Sequence, residues 1–169
     1  MSDYCVVVAD AVRARLFTLE PANVPEAESG PKLSEVKCLV NPEKELPRRA
    51  VFTENKSGGN RSRGASNHSF DDHRSKHELE FEKQFARKVA AEAGKTLKAE
   101  KARQLVLIAD SRMLGLLRKE IGAQVKLGVE VSDLDRDMTK LTPAEIQAHL
   151  AKAGLVPACC KPSGPRKRR

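Results

Sequence analysis

The run Tyr4–Ala9, with the sequence YCVVVA, decides the fold of this chain. It is short, apolar and rich in valine, which is typical of a strand buried near the centre of a sheet. Gln104–Ala109, with the sequence QLVLIA, is a second continuous apolar run and predicts another buried strand. The remaining elements are predicted outward from these two strands.

Alternating apolar residues predict three further strands. Arg13–Leu19 (RARLFTL) follows a turn after the first run, which indicates its hairpin partner. Ser34–Val40 (SEVKCLV) places Val36, Cys38 and Val40 on one face and predicts a third strand. A last strand is predicted where every second residue is apolar, at Val125, Leu127, Val129 and Val131.

Three helices are predicted as well. The longest covers Asp71–Lys98, and Gly94 is expected to end it early. A short helix follows Asp110, which is a suitable N-cap, and a last helix begins at Thr142–Glu145, where a capping box stands with a proline. The apolar stripes of the three helices are Phe81, Phe85, Val89, Ala93 and Leu97; Met113, Leu114, Leu117 and Ile121; and Ile146 and Leu150.

These elements predict one α/β domain with a mixed β-sheet and packed helices. Three strands in a meander, followed by alternating helices and strands, favour this architecture. We assign residues 1–156 to the domain, with a long basic loop at about 41–70. We expect residues 157–169 to be a disordered basic tail.

Charge and composition narrow the choice of partners. The chain has 169 residues, a formal net charge of +8 and a pI of about 9.5, which favours polyanions: RNA, DNA or an anionic membrane surface. Aromatic residues make up only 4%, which argues against a base-stacking platform. We find neither a signal peptide nor a membrane-spanning stretch and expect a cytoplasmic protein without a membrane partner. No cofactor is expected, since no dinucleotide or phosphate-binding fingerprint is present.

Two basic segments, in the long loop and in the tail, are candidate sites for nucleic acid. Arginine supplies a bidentate fork for phosphate oxygens, and glycine lets backbone N–H groups approach them closely. This composition is typical of a segment that becomes ordered on RNA or DNA, and the alternative is a solvated loop with no partner. The candidate RNA-binding residues are Arg48, Arg49, Lys56, Gly58, Gly59, Asn60, Arg61, Arg63, Lys161, Arg166, Lys167, Arg168 and Arg169.

A set of carboxylates offers a different chemistry. Asp10 and Asp110 follow the two buried strands, and Asp133, Asp135 and Asp137 follow the last predicted strand. Carboxylates that converge at strand ends hold Mg²⁺ or Mn²⁺ in enzymes that cleave phosphodiesters. The ordinary alternative places the same residues in a turn, a helix cap and a solvated loop.

Histidines and cysteines do not form a metal site by their spacing. His73 and His77 share one helix face at a spacing that suits a metal, with His68 nearby, but no third ligand is evident. Cys159 and Cys160 are adjacent, which permits redox chemistry or binding of a soft metal. The alternative for this pair is two thiols in a flexible tail, and no metal site is assigned.

Three stretches follow one another in a specific order along the chain. They are Val6–Phe17 (VVVADAVRARLF), Phe85–Ala90 (FARKVA) and Leu105–Arg118 (LVLIADSRMLGLLR), with Asp137-Met138-Thr139 and the final helix after them. In this order and spacing the chain resembles the bacterial host attachment family, described as proteins required for attachment to host cells. The resemblance covers Tyr4 to about Leu155.

That family is similar to the central domain of archaeal and eukaryotic peptide-chain release factors and of Pelota. The similarity implies a ribonuclease H-like fold. In release factors a Gly-Gly-Gln loop precedes the long helix and enters the peptidyl transferase centre of the ribosome. Here Asn60 follows Gly58-Gly59, so the resemblance implies contact with the ribosome without hydrolysis of peptidyl-tRNA.

The leading hypothesis is a non-catalytic factor that binds the ribosome or ribosomal RNA, in translation rescue or hibernation. A first alternative is an accessory protein of host attachment or of the cell surface. A second alternative is a metal-dependent nuclease that uses Asp10 and Asp110.

Overall fold

The computed structural model describes residues 2–22, 29–45, 68–125 and 128–160. The five strands are β1 (Tyr4–Ala9), β2 (Arg13–Glu20), β3 (Lys32–Val40), β4 (Gln104–Ala109) and β5 (Glu130–Asp135). The helices in the described ranges are α1 (Pro42–Glu45), α2 (His68–Glu100), α3 (Ser111–Gln124) and α4 (Pro143–Lys152). This is a mixed α/β fold, as the sequence predicts.

The five strands form one sheet in the order β3-β2-β1-β4-β5. β2 is antiparallel to both β1 and β3, whereas β4 is parallel to β1 and β5. The two apolar runs of the sequence therefore lie side by side, with Val6 opposite Val106. Their predicted place inside the sheet is confirmed, and both strands are buried almost throughout.

The sheet has a hydrophobic core on each face. One core contains alternate residues of β1 and β4 together with α2 and α3, including Phe85, Val89 and Leu117. The other is smaller and contains Ile146 and Leu150 of α4 with Phe17 and Met138. The apolar stripes predicted for α3 and α4 are buried as expected.

β3 lies at the edge of the sheet and differs from the prediction. Val36, Cys38 and Val40 do not face a core; Val36 is 54% and Val40 is 40% exposed. Two causes are visible: among the described strands β3 pairs with β2 alone, and its register against β2 shifts between Leu16 and Phe17. A shift of one residue moves side chains to the opposite face of a strand.

The last strand begins later in the chain than predicted. Of the alternating apolar residues, Val131 lies in β5, whereas Val125 is the C-cap of α3 and still donates its N–H to the carbonyl of Ile121. Val129 precedes β5, and Leu127 lies outside the described residues. The strand is Glu130–Asp135, with the polar sequence EVSDLD. An edge strand with one exposed face does not need a hydrophobic pattern.

Two features of the helices also differ from the prediction. Gly94 does not end α2, which continues to Glu100, and the nearest neighbour that a side chain at Gly94 would contact is Gln124 of α3. The four-residue helix α1 was not predicted. No helix of the described part is both long and apolar enough to cross a membrane.

The end of α4 keeps the chain close to the sheet. Gly154 follows α4 with a φ of +72°, a left-handed conformation that suits glycine at the end of a helix. Beyond it, Cys160 exchanges two backbone hydrogen bonds with Gly30, at 3.0 and 3.1 Å. The chain is thus still paired at Cys160, three residues beyond the start of the expected disordered tail.

Candidate functional site at the carboxyl edge of the sheet

Polar side chains gather at one edge of the sheet. β1, β3, β4 and β5 run in the same direction, because β2 is antiparallel to both of its neighbours. Their carboxyl ends share an edge, which carries Asp10, Asn41, Asp110 and Asp135. Since ligands of open α/β sheets bind outside the carboxyl ends of strands, this edge is the candidate functional site.

Asp10 organises the turn between β1 and β2. Its Oδ1 accepts hydrogen bonds from the backbone N–H groups of Val12 and Arg13, both at 2.6 Å. Its Oδ2 accepts one from the hydroxyl of Thr139 at 3.0 Å. The carboxylate therefore closes a turn and attaches the segment after β5 to the end of β1.

Asp137 lies on the other side of the same hydroxyl. Its Oδ1 is 2.7 Å from Thr139 Oγ1 and also accepts the backbone N–H of Thr139 at 3.0 Å. These hydrogen bonds hold the pKa of Asp137 below its ordinary value. A hydroxyl has a single proton, so Thr139 donates to either Asp10 or Asp137 at any moment.

The other carboxylates of the edge have local partners too. Asp110 caps α3 by accepting the N–H of Met113 at 2.8 Å, as its position before the helix predicts. Asp135 accepts a hydrogen bond from the hydroxyl of Ser111, and Asp133 pairs with Arg118. These partners correspond to the turn and cap interpretation of the carboxylates.

The structure does not assemble a metal centre from the residues it describes. Asp10 and Asp110 follow adjacent strands, yet no three His, Cys, Asp or Glu side chains of the described ranges are grouped to hold a metal ion. His77 contacts the ring of Phe81 at a centroid distance of 6.4 Å. The side chains of His68 and His73 lie outside the described part.

A buried carboxylate on α2 joins three helices beside this edge. Glu82 is 4% exposed. Its Oε1 lies 3.1 Å from Nζ of Lys44 on α1, and its Oε2 lies 2.8 Å from Nε of Arg112 on α3. A buried carboxylate needs such partners, because removal from water disfavours its charge. We call this group the Glu82 junction.

The Glu82 junction was not predicted from the sequence, although a signal for it is present. Glu82 continues the buried line of Ala86, Val89 and Ala93 along α2. A carboxylate on an otherwise apolar stripe requires a cationic partner. Its partners could not be named from the sequence, because they lie on two other helices.

Arg15 fixes the segment after β5 onto the sheet. Its Nη1 donates to the carbonyl oxygens of Thr139 at 3.1 Å and Leu141 at 2.7 Å. Its Nη2 pairs with Glu35 at 2.6 Å, and this hydrogen bond raises the pKa of Arg15. The guanidinium also lies 4.9 Å from the ring centroid of Phe17, a cation–π contact.

The basic candidates lie beside this site in sequence but outside the described residues. Segment 46–67, which includes Arg48, Lys56 and Arg61, connects α1 to α2, and residues 161–169 follow Cys160. The RNA-binding residues predicted in both segments therefore stay a prediction. The described part shows where the first segment is attached, namely to two helices that the Glu82 junction holds together.

Comparison with known proteins assigns the family. The family model described as "Protein required for attachment to host cells" matches residues 5–150, most of the chain. The chain belongs to this family. No curated protein matches the chain. The match of the host attachment family begins in β1 and ends in α4, so it includes the carboxyl edge, the Glu82 junction and segment 46–67.

Proposed function

We propose that the protein serves attachment to host cells as a non-catalytic accessory factor that acts by binding a partner. The observation that carries this proposal is the family match over residues 5–150. The site adds support, because its carboxylates are engaged in turns, caps and ion pairs that hold loops and helices in place. Such a site positions a binding surface.

The partner that we propose is a polyanion, with ribosomal RNA as the leading class. Segment 46–67 has five basic residues and one acidic residue. Lys44 of α1, just before this segment, is held by Glu82 of α2. Fixing an anchor beside a basic segment reduces the entropy that the segment loses on binding.

A relation to the central domain of release factors and Pelota belongs to the same proposal. It is supported by the resemblance of the sequence and by an antiparallel meander followed by parallel strands, compatible with a ribonuclease H-like fold. With Asn60 after Gly58-Gly59, the segment would contact the ribosome without releasing peptides. The role would be rescue or hibernation of ribosomes in the cytoplasm, and the effect on attachment would be indirect.

The domain limits are part of this proposal. Residues 1–156 would form the domain and residues 157–169 a basic tail that contributes to binding. The family match covers residues 5–150, so the basic tail lies outside the matched range.

Sedimentation with ribosomes tests the molecular activity. Lysates of growing and starved cells are separated on sucrose gradients at low and moderate salt, and the tagged protein is followed. Comigration that is lost at moderate salt is expected, because phosphate contacts are sensitive to salt. Protein that stays at the top of every gradient would remove the ribosome from the proposal.

An attachment assay tests the biological role separately. A strain that lacks the gene is complemented with the wild type or with the R61A/R63A variant, and adhesion to host cells is counted. We expect the wild type to restore adhesion and the variant to restore less. Full adhesion without the gene would contradict the attachment role, whatever the gradients show.

A further inference from the structure

An apolar groove lies on the opposite side of the sheet from α2 and α3. It has a volume of about 720 Å³ and runs along α4, between this helix, the start of β3 and residues 158–159. Its walls include Leu33, Ala144, Ala148, Ala151, Lys32 and Lys152. The volume is in the range of pockets that take small organic ligands.

The groove is open because α4 presents alanines on this side. The amide of Gln147, in the wall of the groove, is already hydrogen-bonded within the protein. Its nitrogen donates to the carbonyl oxygens of Pro31 at 2.8 Å and Pro157 at 3.2 Å, and its oxygen accepts the N–H of Leu33 at 3.1 Å. The wall therefore offers a ligand apolar contact without a buried polar group to satisfy.

Two lysines, Lys32 and Lys152, line the groove. Lys32 is the first residue of β3, next to Leu33, whose N–H donates to the side chain of Gln147 in the middle of α4. Lys152 is the last residue of α4. Neither lysine has an ion pair with any carboxylate of the described residues. The groove thus combines mostly apolar walls with two cationic side chains.

We propose that this groove binds a single-chain anionic amphiphile of the fatty acid class. The carboxylate would lie between Lys32 and Lys152, and the alkyl chain would follow the alanine face of α4 toward Pro143. Each methylene group of the alkyl chain that is buried in the groove adds to the binding affinity. The two lysines favour a ligand with a negatively charged head group. This site is independent of the carboxyl edge and of the proposed partner there.

Binding is tested with the full chain and dodecanoate below its critical micelle concentration, by isothermal titration calorimetry. We expect saturable binding of dodecanoate. Dodecanol, which lacks the charge, and butanoate, which lacks the chain, should bind at least tenfold more weakly.

Two variants locate the site. A148F fills the groove and should weaken dodecanoate binding at least tenfold, whereas A123F, at an exposed alanine of α3, should leave it unchanged. K32A/K152A should reduce the affinity for dodecanoate to that for dodecanol. K119A, at an exposed lysine of α3, is the matched control. Equal melting temperatures show that the variants are folded.

Cys159 gives an independent signal, because it lines the groove and is exposed. In the C160S variant, dodecanoate should slow maleimide labelling of Cys159 severalfold and leave labelling of Cys38 unchanged. Absence of saturable binding, or equal binding by A148F, would overturn the proposal. If dodecanoate does not bind and A148F dissociates a wild-type dimer, the groove belongs to a second copy, which also overturns it.

Discussion

Glu82 is a residue whose charge is stabilised by partners on two other helices. Replacing Glu82 with alanine removes the buried carboxylate that pairs with Lys44 and Arg112. Because these cations are 25% and 59% exposed, water replaces part of the lost interaction. We expect E82A to lower the free energy of unfolding by about 2 kcal/mol, measured by urea denaturation.

Glu80 provides the matched control for this prediction. It pairs with Lys83 at 3.5 Å, and both side chains are largely exposed, at 49% and 40%. An exposed pair of this kind contributes about 0.5 kcal/mol or less. An E82A variant that is no less stable than E80A would contradict the structural role of the Glu82 junction.

The four cysteines are predicted to differ in reactivity. Cys5 is fully buried in β1, and burial raises the pKa of its thiol to about 12, so the reactive thiolate is scarce at neutral pH. Cys38, Cys159 and Cys160 are exposed. Mass spectrometry after brief treatment with iodoacetamide at pH 8 should show three modified thiols, with Cys5 modified in urea. Rapid modification of Cys5 in the native protein would contradict its burial in β1.

The sequence predicted burial correctly where apolar residues recur with the period of a helix. Leu117 and Ile121 were predicted and are buried, because a helical period fixes which residues share a face. Arg15 and Glu35 were not singled out. Their ion pair joins residues that are far apart in sequence, and no local period contains that information.

At the scale of elements, α4 offers the sharpest test of a local sequence signal. Thr142 Oγ1 accepts the N–H of Glu145, whose carboxylate in turn accepts the backbone N–H of Thr142 at 2.8 Å. T142A removes one half of this capping box and should lower stability by about 1 kcal/mol, measured by thermal and urea unfolding.

T142S keeps the hydroxyl and serves as the control. We expect it to retain most of the stability of the wild type, because serine and threonine cap helices in the same way. If T142A and T142S are equally stable, the hydroxyl does not stabilise α4, and Pro143 alone would account for the start of the helix.

Elements were predictable where burial or a cap dictates the sequence. β1 and β4 are apolar because both faces are covered, so their sequences could be recognised without a structure. β5 and β3 are the outer strands of the described sheet, and most of their residues are in contact with solvent. Their sequences therefore do not have to be apolar. This is why the apolar alternation from Val125 placed the start of the last strand too early, and why the exposed side of β3 was expected to be buried.

For the whole molecule, the net charge is concentrated in two segments. Segment 46–67 has five basic residues and one acidic residue, and residues 161–169 have five basic residues and none that is acidic. Since the whole chain has a net charge of +8, the remainder has a net charge of −1. The part of the chain outside these segments is therefore nearly neutral, and the proposed attraction to a polyanion would depend on the two basic segments.

This distribution predicts which substitutions change the salt dependence of binding to RNA. Each phosphate contact that is lost makes the slope of log affinity against log salt less steep by about 0.7 for a single strand. Fluorescence anisotropy with a single-stranded RNA, from low to moderate salt, should give R61A/R63A a slope shallower by about 1.4. K98A/K119A, at exposed lysines of the scaffold, should keep the wild-type slope. Equal slopes for wild type and R61A/R63A would mean that these two arginines do not contact phosphate, and binding would then have to depend on the other basic residues of the two segments.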